Sequence, residues 1–155
     1  MIRILFVCHG NICRSPMAEF IFKDMICKRG LQNGYYVESA AVSAEELGNP
    51  LYPPAQRCLA RHLIPYNLTR TAWQVRREDY GRFDRIICMD AANVSWLRRI
   101  VRDDSEHKIC LMMSYAGSGR DVADPWYTGD FEATYDDITL ACTAMLCKDE
   151  NEGLV

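Results

Sequence analysis

The sequence predicts an α/β fold of three layers (α/β/α), in which helices cover both faces of a four-stranded parallel sheet. Two observations carry this. Short apolar runs alternate along the chain with longer stretches of helical periodicity, and parallel strands need such right-handed helical crossovers. The length of 155 residues suits one domain, 1–155, with a real hydrophobic core. No internal repeat, low-complexity segment or interdomain linker interrupts the alternation.

Residues 2–7 form an apolar run broken only by Arg3 and read as a buried strand. A turn follows at Gly10-Asn11. Ser15-Pro16 then opens a helix, with Ser15 as N-cap and Pro16 in the first helical position. Met17, Phe20, Ile21, Met25 and Ile26 recur along its inner face, and Gly30 stops it. Tyr35–Ser39 is the second strand and residues 40–52 a long loop. Pro53-Pro54 starts a helix reaching about His62, with Ala55, Leu59 and Leu63 on one face. Asp84–Met89 is the third strand, and Asp90 caps a helix carrying Val94, Leu97 and Val101. Lys108–Met112 is the fourth strand, followed by a polar loop at 114–124. A last helix runs from about Phe131 to Lys148, with Tyr135, Ile138, Ala141, Cys142 and Met145 inward, and 149–155 is expected to fray.

Composition narrows the classes of function. A formal charge of −3 gives no general case for nucleic-acid or membrane binding, and Arg76-Arg77 and Arg98-Arg99 read as solvated faces. No apolar run approaches the roughly 20 residues of a membrane span. Met1 leads straight into the first strand, too short for a secretory leader, so a cytoplasmic location is expected. Without a leader, the eight cysteines are not expected to form a disulfide scaffold. Cys27, Cys58, Cys88, Cys110, Cys142 and Cys147 lie in apolar runs and read as core or near-core residues. Cys8 and Cys13 do not.

Those two belong to Cys8-His9-Gly10-Asn11-Ile12-Cys13-Arg14-Ser15-Pro16, at the carboxyl end of the first strand, where open α/β sheets place their ligands. Five residues between Cys8 and Arg14 suffice to curl the backbone around a tetrahedral anion with several N–H groups inward. Gly10 and Asn11 tolerate the left-handed angles of such a curl. The loop runs into a helix N-terminus, whose positive end favours an oxyanion, and Arg14 can grip two phosphate oxygens at once. The same positive field favours a Cys8 thiolate, and the Ser15 hydroxyl can hydrogen-bond the sulfur. A metal site on Cys8, His9 and Cys13 is the rival reading. It lacks a second Cys/His cluster at zinc spacing and would set the ion beside Arg14, so no metal or other cofactor is expected.

The segment Val7-Cys8-His9-Gly10-Asn11-Ile12-Cys13-Arg14-Ser15-Pro16 resembles the signature of the low-molecular-weight protein-tyrosine phosphatases. The resemblance continues through Glu38-Ser39-Ala40-Ala41, Gly48-Asn49-Pro50, Phe83–Asp90 and Asp124-Pro125-Trp126-Tyr127, nearly the whole chain. It implies a flavodoxin-like sheet, a cysteine nucleophile, oxyanion binding by residues 9–13 and Ser15, and phosphotyrosine-containing proteins as partners. Expulsion of an aryl oxide also needs an acid. By composition alone Asp121, Asp124, Asp130, Asp136 and Asp137 all qualify. The family's Asp-Pro pair followed by aromatics matches Asp124. Trp126 and Tyr127 are expected to cover its carboxyl, favouring the protonated form, and to wall a slot for the substrate ring.

The chain departs from the family pattern at three places. Glu45 stands where an aromatic residue often forms the opposite wall of the slot. Thr69-Arg70-Thr71-Ala72-Trp73-Gln74 replaces a His/Arg-containing stretch, and His9 occupies a position commonly apolar or small. Cys13 matches the family's second loop cysteine, which implies a redox partner able to trap an oxidised Cys8 as a disulfide. Two other functions compete. An arsenate reductase of the same fold needs further cysteines on a mobile segment, whereas here the later ones fall in predicted strands and the last helix. A phosphotyrosine-binding pseudophosphatase would be expected to lose the nucleophile, the Arg or the acid, and all three are present. Oligomeric state is not legible.

Overall fold

A computed structural model describes residues 1–155. Its sheet has the order β2-β1-β3-β4, all parallel, with β1 at Ile2–Cys8, β2 at Tyr35–Ala41, β3 at Arg85–Cys88 and β4 at Ile109–Leu111. Alternation along β1 divides the core. Ile4, Phe6 and Cys8 face helices α1 (Arg14–Lys28), α2 (Pro53–Arg61) and α5 (Phe131–Asn151). Leu5 and Val7 face α3 (Ala91–Val101) and the stretch holding Val75 and Phe83. From Ile4 to Cys8, β1 is buried from both sides, as its apolar run requires. The expected three-layer α/β/α class is the observed one.

The register sets the site. Cys8 pairs with Ala41 and Val7 with Cys88, so β1, β2 and β3 end at one level. The chain leaves β1 toward β2 on one side, while β3 lies on the other; between β1 and β3 the connections diverge and open a crevice.

Several local expectations change. Helix α1 begins at Arg14 with Cys13 as a cap that offers no side-chain bond, because Ser15 is turned inward to the sulfur of Cys8. Gly30, at φ 71°, stops α1 by donating to Cys27 O while Leu31 donates to Ile26 O, a Schellman turn. Leu63 does not extend the apolar face of α2; it lies beyond the helix in the left-handed region and is 84% exposed. Cys27 and Cys147 lie on the surface, on the outer sides of α1 and α5. The chain does not fray at 149: α5 continues to Asn151, and Asp149 is buried against Arg85 (2.7 and 2.9 Å) and the Tyr35 hydroxyl (2.8 Å). That buried carboxylate cannot be recognised from an acidic tail sequence. No helix is long and apolar enough to cross a membrane.

Candidate active site

The curl between Cys8 and Arg14 is held from outside by its carbonyls. Those of Cys8 and His9 accept from Val42 and Ser43, that of Ile12 from Tyr52, and that of Asn11 from the Arg70 guanidinium (2.9 Å). Its N–H groups behave differently. Asn11 N–H points at Cys8 Sγ (3.3 Å), and those of His9, Gly10, Ile12, Cys13, Arg14 and Ser15 donate to no protein acceptor. A loop with paired carbonyls and inward, unpaired amides is an anion cradle, and the first N–H groups of α1 complete it.

Asn11 alone carries the left-handed turn, at φ 60°. Gly10 has no positive φ, and a Cβ there would lie 3.1 Å from the Glu46 Cγ, close enough to make that side chain shift by a few tenths of an ångström. The Asn11 side chain is fully buried and organises the loop. Its Nδ2 donates to Ser15 Oγ (2.8 Å) and Ser39 Oγ (3.0 Å), and its Oδ1 accepts from Arg70 and, at 3.4 Å, from Trp73 N–H. Because Asn11 donates to Ser15, the serine's own hydrogen is free for Cys8 Sγ at 3.0 Å, closer than its other neighbour Ala40 O at 3.4 Å. The 69–75 stretch thus braces the cradle through Arg70.

Arg14 is buried, with its NH1 on Asp90 (2.8 Å) and Val122 O (3.2 Å) and its NH2 on Asp124 (3.1 Å). Burial works to lower its pKa, but the charges of Cys8, Asp124 and Asp90 outweigh that and hold it above the ordinary value. These contacts use three of the five guanidinium N–H groups, leaving the Nε–H and one NH2 hydrogen, a side-on fork for two oxygens. Asp90 was legible only as a helix cap. It is one, through Asn93 N–H at 2.7 Å, but its second oxygen fixes Arg14.

Asp124 lines the same cavity as the loop. One oxygen caps the short helix α4 (Pro125–Thr128) through Trp126 N–H (3.1 Å), and the other meets Arg14. The Asp124 side chain is 28% exposed, whereas Trp126 and Tyr127 are 56% and 85% exposed. They line the mouth of a cavity of about 510 Å³ whose floor is the Cys8 loop. The opposite rim holds no aromatic wall of the family kind. Glu45 instead pairs with His9 Nε2 at 2.9 Å, and the His9 ring meets Trp96 edge-on at 6.3 Å. Cys13 is buried beside Cys8, and burial, followed by the Cys8 and Asp124 charges, pushes its thiol well up, so it stays protonated.

A second group was not found from the sequence. Ligand-type atoms of Cys58, His62 and Glu132 lie within 4.8 Å of one another. Arg61 forks onto the same carboxylate (3.0 and 2.8 Å), which His62 also meets at 2.6 Å. The His62 and Arg61 hydrogen bonds draw Glu132 down to about 2, while burial and then Glu132 push Cys58 up to about 11. With a cation already on the carboxylate and a protonated thiol, the group is a clasp between α2 and α5.

The family model for the low molecular weight phosphotyrosine protein phosphatases matches residues 3–152. A Bacillus subtilis low molecular weight protein-tyrosine-phosphatase, YfkJ, is 39% identical over 154 residues, 98% of both chains, and its crystal structure superposes with a TM-score of 0.92 over 98% of this chain and 96% of that one. The human low molecular weight phosphotyrosine protein phosphatase is 39% identical over 94% of each chain. A Streptococcus pyogenes low molecular weight protein tyrosine phosphatase is 38% identical, covering 96% and 93%, with a TM-score of 0.86.

Proposed function

The chain belongs to the low molecular weight phosphotyrosine protein phosphatase family, and on that premise we propose that it hydrolyses protein phosphotyrosine and small aryl phosphates through a cysteinyl-phosphate, without a metal ion. The observation that carries the reading is the ring of unpaired N–H groups and the half-free Arg14 fork converging above Cys8 Sγ.

In the first step the Cys8 thiolate attacks phosphorus, an S–P bond forms and the P–O bond to the aryl group breaks. The loop amides and Arg14 stabilise charge building on the equatorial oxygens. Asp124, on the opposite side, gives its proton to the leaving oxygen. In the second step Asp124 takes a proton from water, the water oxygen attacks phosphorus, and the S–P bond breaks to return thiolate and inorganic phosphate. Ser15 Oγ, at 3.0 Å, donates to the departing sulfur. The ring of the substrate stands in the slot beside Trp126 and Tyr127.

Turnover of p-nitrophenyl phosphate without added metal and with chelator, in the parent, Cys8→Ser and Asp124→Ala, tests this. Cys8→Ser is expected to abolish turnover and Asp124→Ala to lower kcat by roughly 10²–10⁴. Unchanged turnover in Cys8→Ser ends the proposal, and loss of activity with chelator ends its metal-free part.

The same arrangement supports a redox role for Cys13. Peroxide converts the Cys8 thiolate to a sulfenic acid; the Cys13 thiol then attacks that sulfur, forming a disulfide and releasing water. A thiol reductant restores both. Recovery of activity after peroxide is expected in the parent and lost in Cys13→Ser; equal recovery in both rejects the pairing.

A further inference from the structure

Trp126 is shared by two cavities. Beyond it, on the side away from Cys8, lies a second one of about 770 Å³. Its apolar side is formed by Tyr52, whose ring lies 5.2 Å from that of Trp126 and 6.2 Å from that of Phe131. Its polar side comes from α2, which presents Arg57 and Arg61 one turn apart on the same face.

The charges of this second cavity are not equally available. Glu132 has both oxygens bonded, to Arg61 and His62, and Arg61 is thereby neutralised. Asp130 caps α5 through Ala133 N–H at 2.9 Å. Arg57 is exposed and has neither an ion pair nor a side-chain hydrogen bond. Arg57 is therefore the cavity's one cation without a carboxylate partner, set beside an aromatic floor; Asp130 keeps its charge as well, its carboxylate meeting only the Ala133 N–H. Across the Cys8 cavity the rim has the opposite sign, with Glu45 and Glu46. A peptide lying over the nucleophile meets acid on one flank and base on the other.

We propose that the cavity beyond Trp126 is a subsite for a carboxylate side chain, Asp or Glu, near the phosphotyrosine of the substrate protein, and that Arg57 reads it. The assignment rests on the phosphatase reading above. Trp126 divides the two sites, one face toward the phosphotyrosine ring and one toward the neighbouring residue. The α2 position and the long side chain of Arg57 let it reach a substrate without touching the Cys8 loop, so selectivity is separated from chemistry.

The test is kcat/KM on phosphotyrosine peptides in which a single Glu is walked through the positions on either side, each compared with its Gln and Lys counterparts. At one or more positions Glu is expected to exceed Gln by about three- to fivefold, the range of an exposed ion pair. That preference is expected to vanish in Arg57→Ala, to turn toward Lys in Arg57→Glu, and to shrink as salt is raised. Turnover of p-nitrophenyl phosphate is expected to stay at the parent level in both variants. No Glu preference at any position, or one that survives Arg57→Glu, overturns the subsite. So does a fall in p-nitrophenyl phosphate turnover in the Arg57 variants, which would place Arg57 in the fold or the chemistry. A parent inactive on p-nitrophenyl phosphate would instead remove the phosphatase reading itself.

Discussion

The loop at residues 8–15 and the rim formed by residues 45 and 126–127, with Arg57 beyond Trp126, are held in different ways. In the loop nearly every polar atom not aimed at the anion is bonded to protein: the carbonyls outward, Asn11 on four partners, and Arg14 on Asp90, Val122 and Asp124. These bonds are buried, so each is costly to break. The rim is held by little. His9–Glu45 joins two half-solvated side chains, Trp126 and Tyr127 stand in water, and Arg57 is unpaired. Exposed pairs of that kind contribute about 0–1 kcal/mol. The difference teaches that the chemistry is rigidly specified, while the surface that selects substrates can change at small cost to stability.

The contrast can be broken at Arg14 first. Arg14→Lys keeps the charge but cannot serve Asp90, Val122 O, Asp124 and two oxygens at once, so kcat/KM on p-nitrophenyl phosphate is expected to fall by about 10²–10³. A loss of less than tenfold would mean the amides suffice. Arg70 comes next, a positioning residue acting through Asn11. Arg70→Met is expected to lower kcat by about tenfold with a smaller change in KM, and Arg70→Lys to recover part of it, since two charge-assisted bonds to Asn11 are removed and then partly restored. An effect on KM alone would move Arg70 to the rim class.

At the rim itself, Glu45→Tyr supplies the missing aromatic wall. KM for phosphotyrosine peptides is expected to fall about threefold with kcat unchanged, in line with the weight of an aromatic pair. The smallest effect is on stability. Glu132 is held near 2 by His62 and Arg61, below its ordinary 4.5, so its contribution is full above that ordinary value and lost as the pH falls through about 2. Because the carboxylate is nearly half exposed, solvent screening reduces this to about 1 kcal/mol. Glu132→Gln is expected to lower Tm by a few degrees at neutral pH and by less near pH 2, as thermal melts across pH would show.

Three departures from the sequence pattern share one cause. Ser-Pro is a common helix start and marks Ser15 as a cap, but its hydroxyl is claimed by Cys8 and Asn11, which local patterns do not show. Asp90 was readable as a cap because that bond spans three residues, whereas its bond to Arg14 spans 76. Asp149 looked like part of a polar tail, and only the packing of α5 against the sheet edge gives it Arg85 and Tyr35.

By itself the sequence determined the parallel sheet and the cysteine loop at the end of its first strand, because strand periodicity and the curl of five residues between Cys8 and Arg14 are local properties; Asp124 was singled out from five aspartates only by the resemblance to the family. The tertiary structure alone decided what grips that loop and what surrounds it: Arg70 on Asn11, Asp90 and Asp124 on Arg14, Glu45 on His9, and Arg57 across Trp126. Those partners come from segments 36 to 110 residues away. They meet because β1, β2 and β3 end at one level, and every loop leaving that level turns toward the crevice above Cys8.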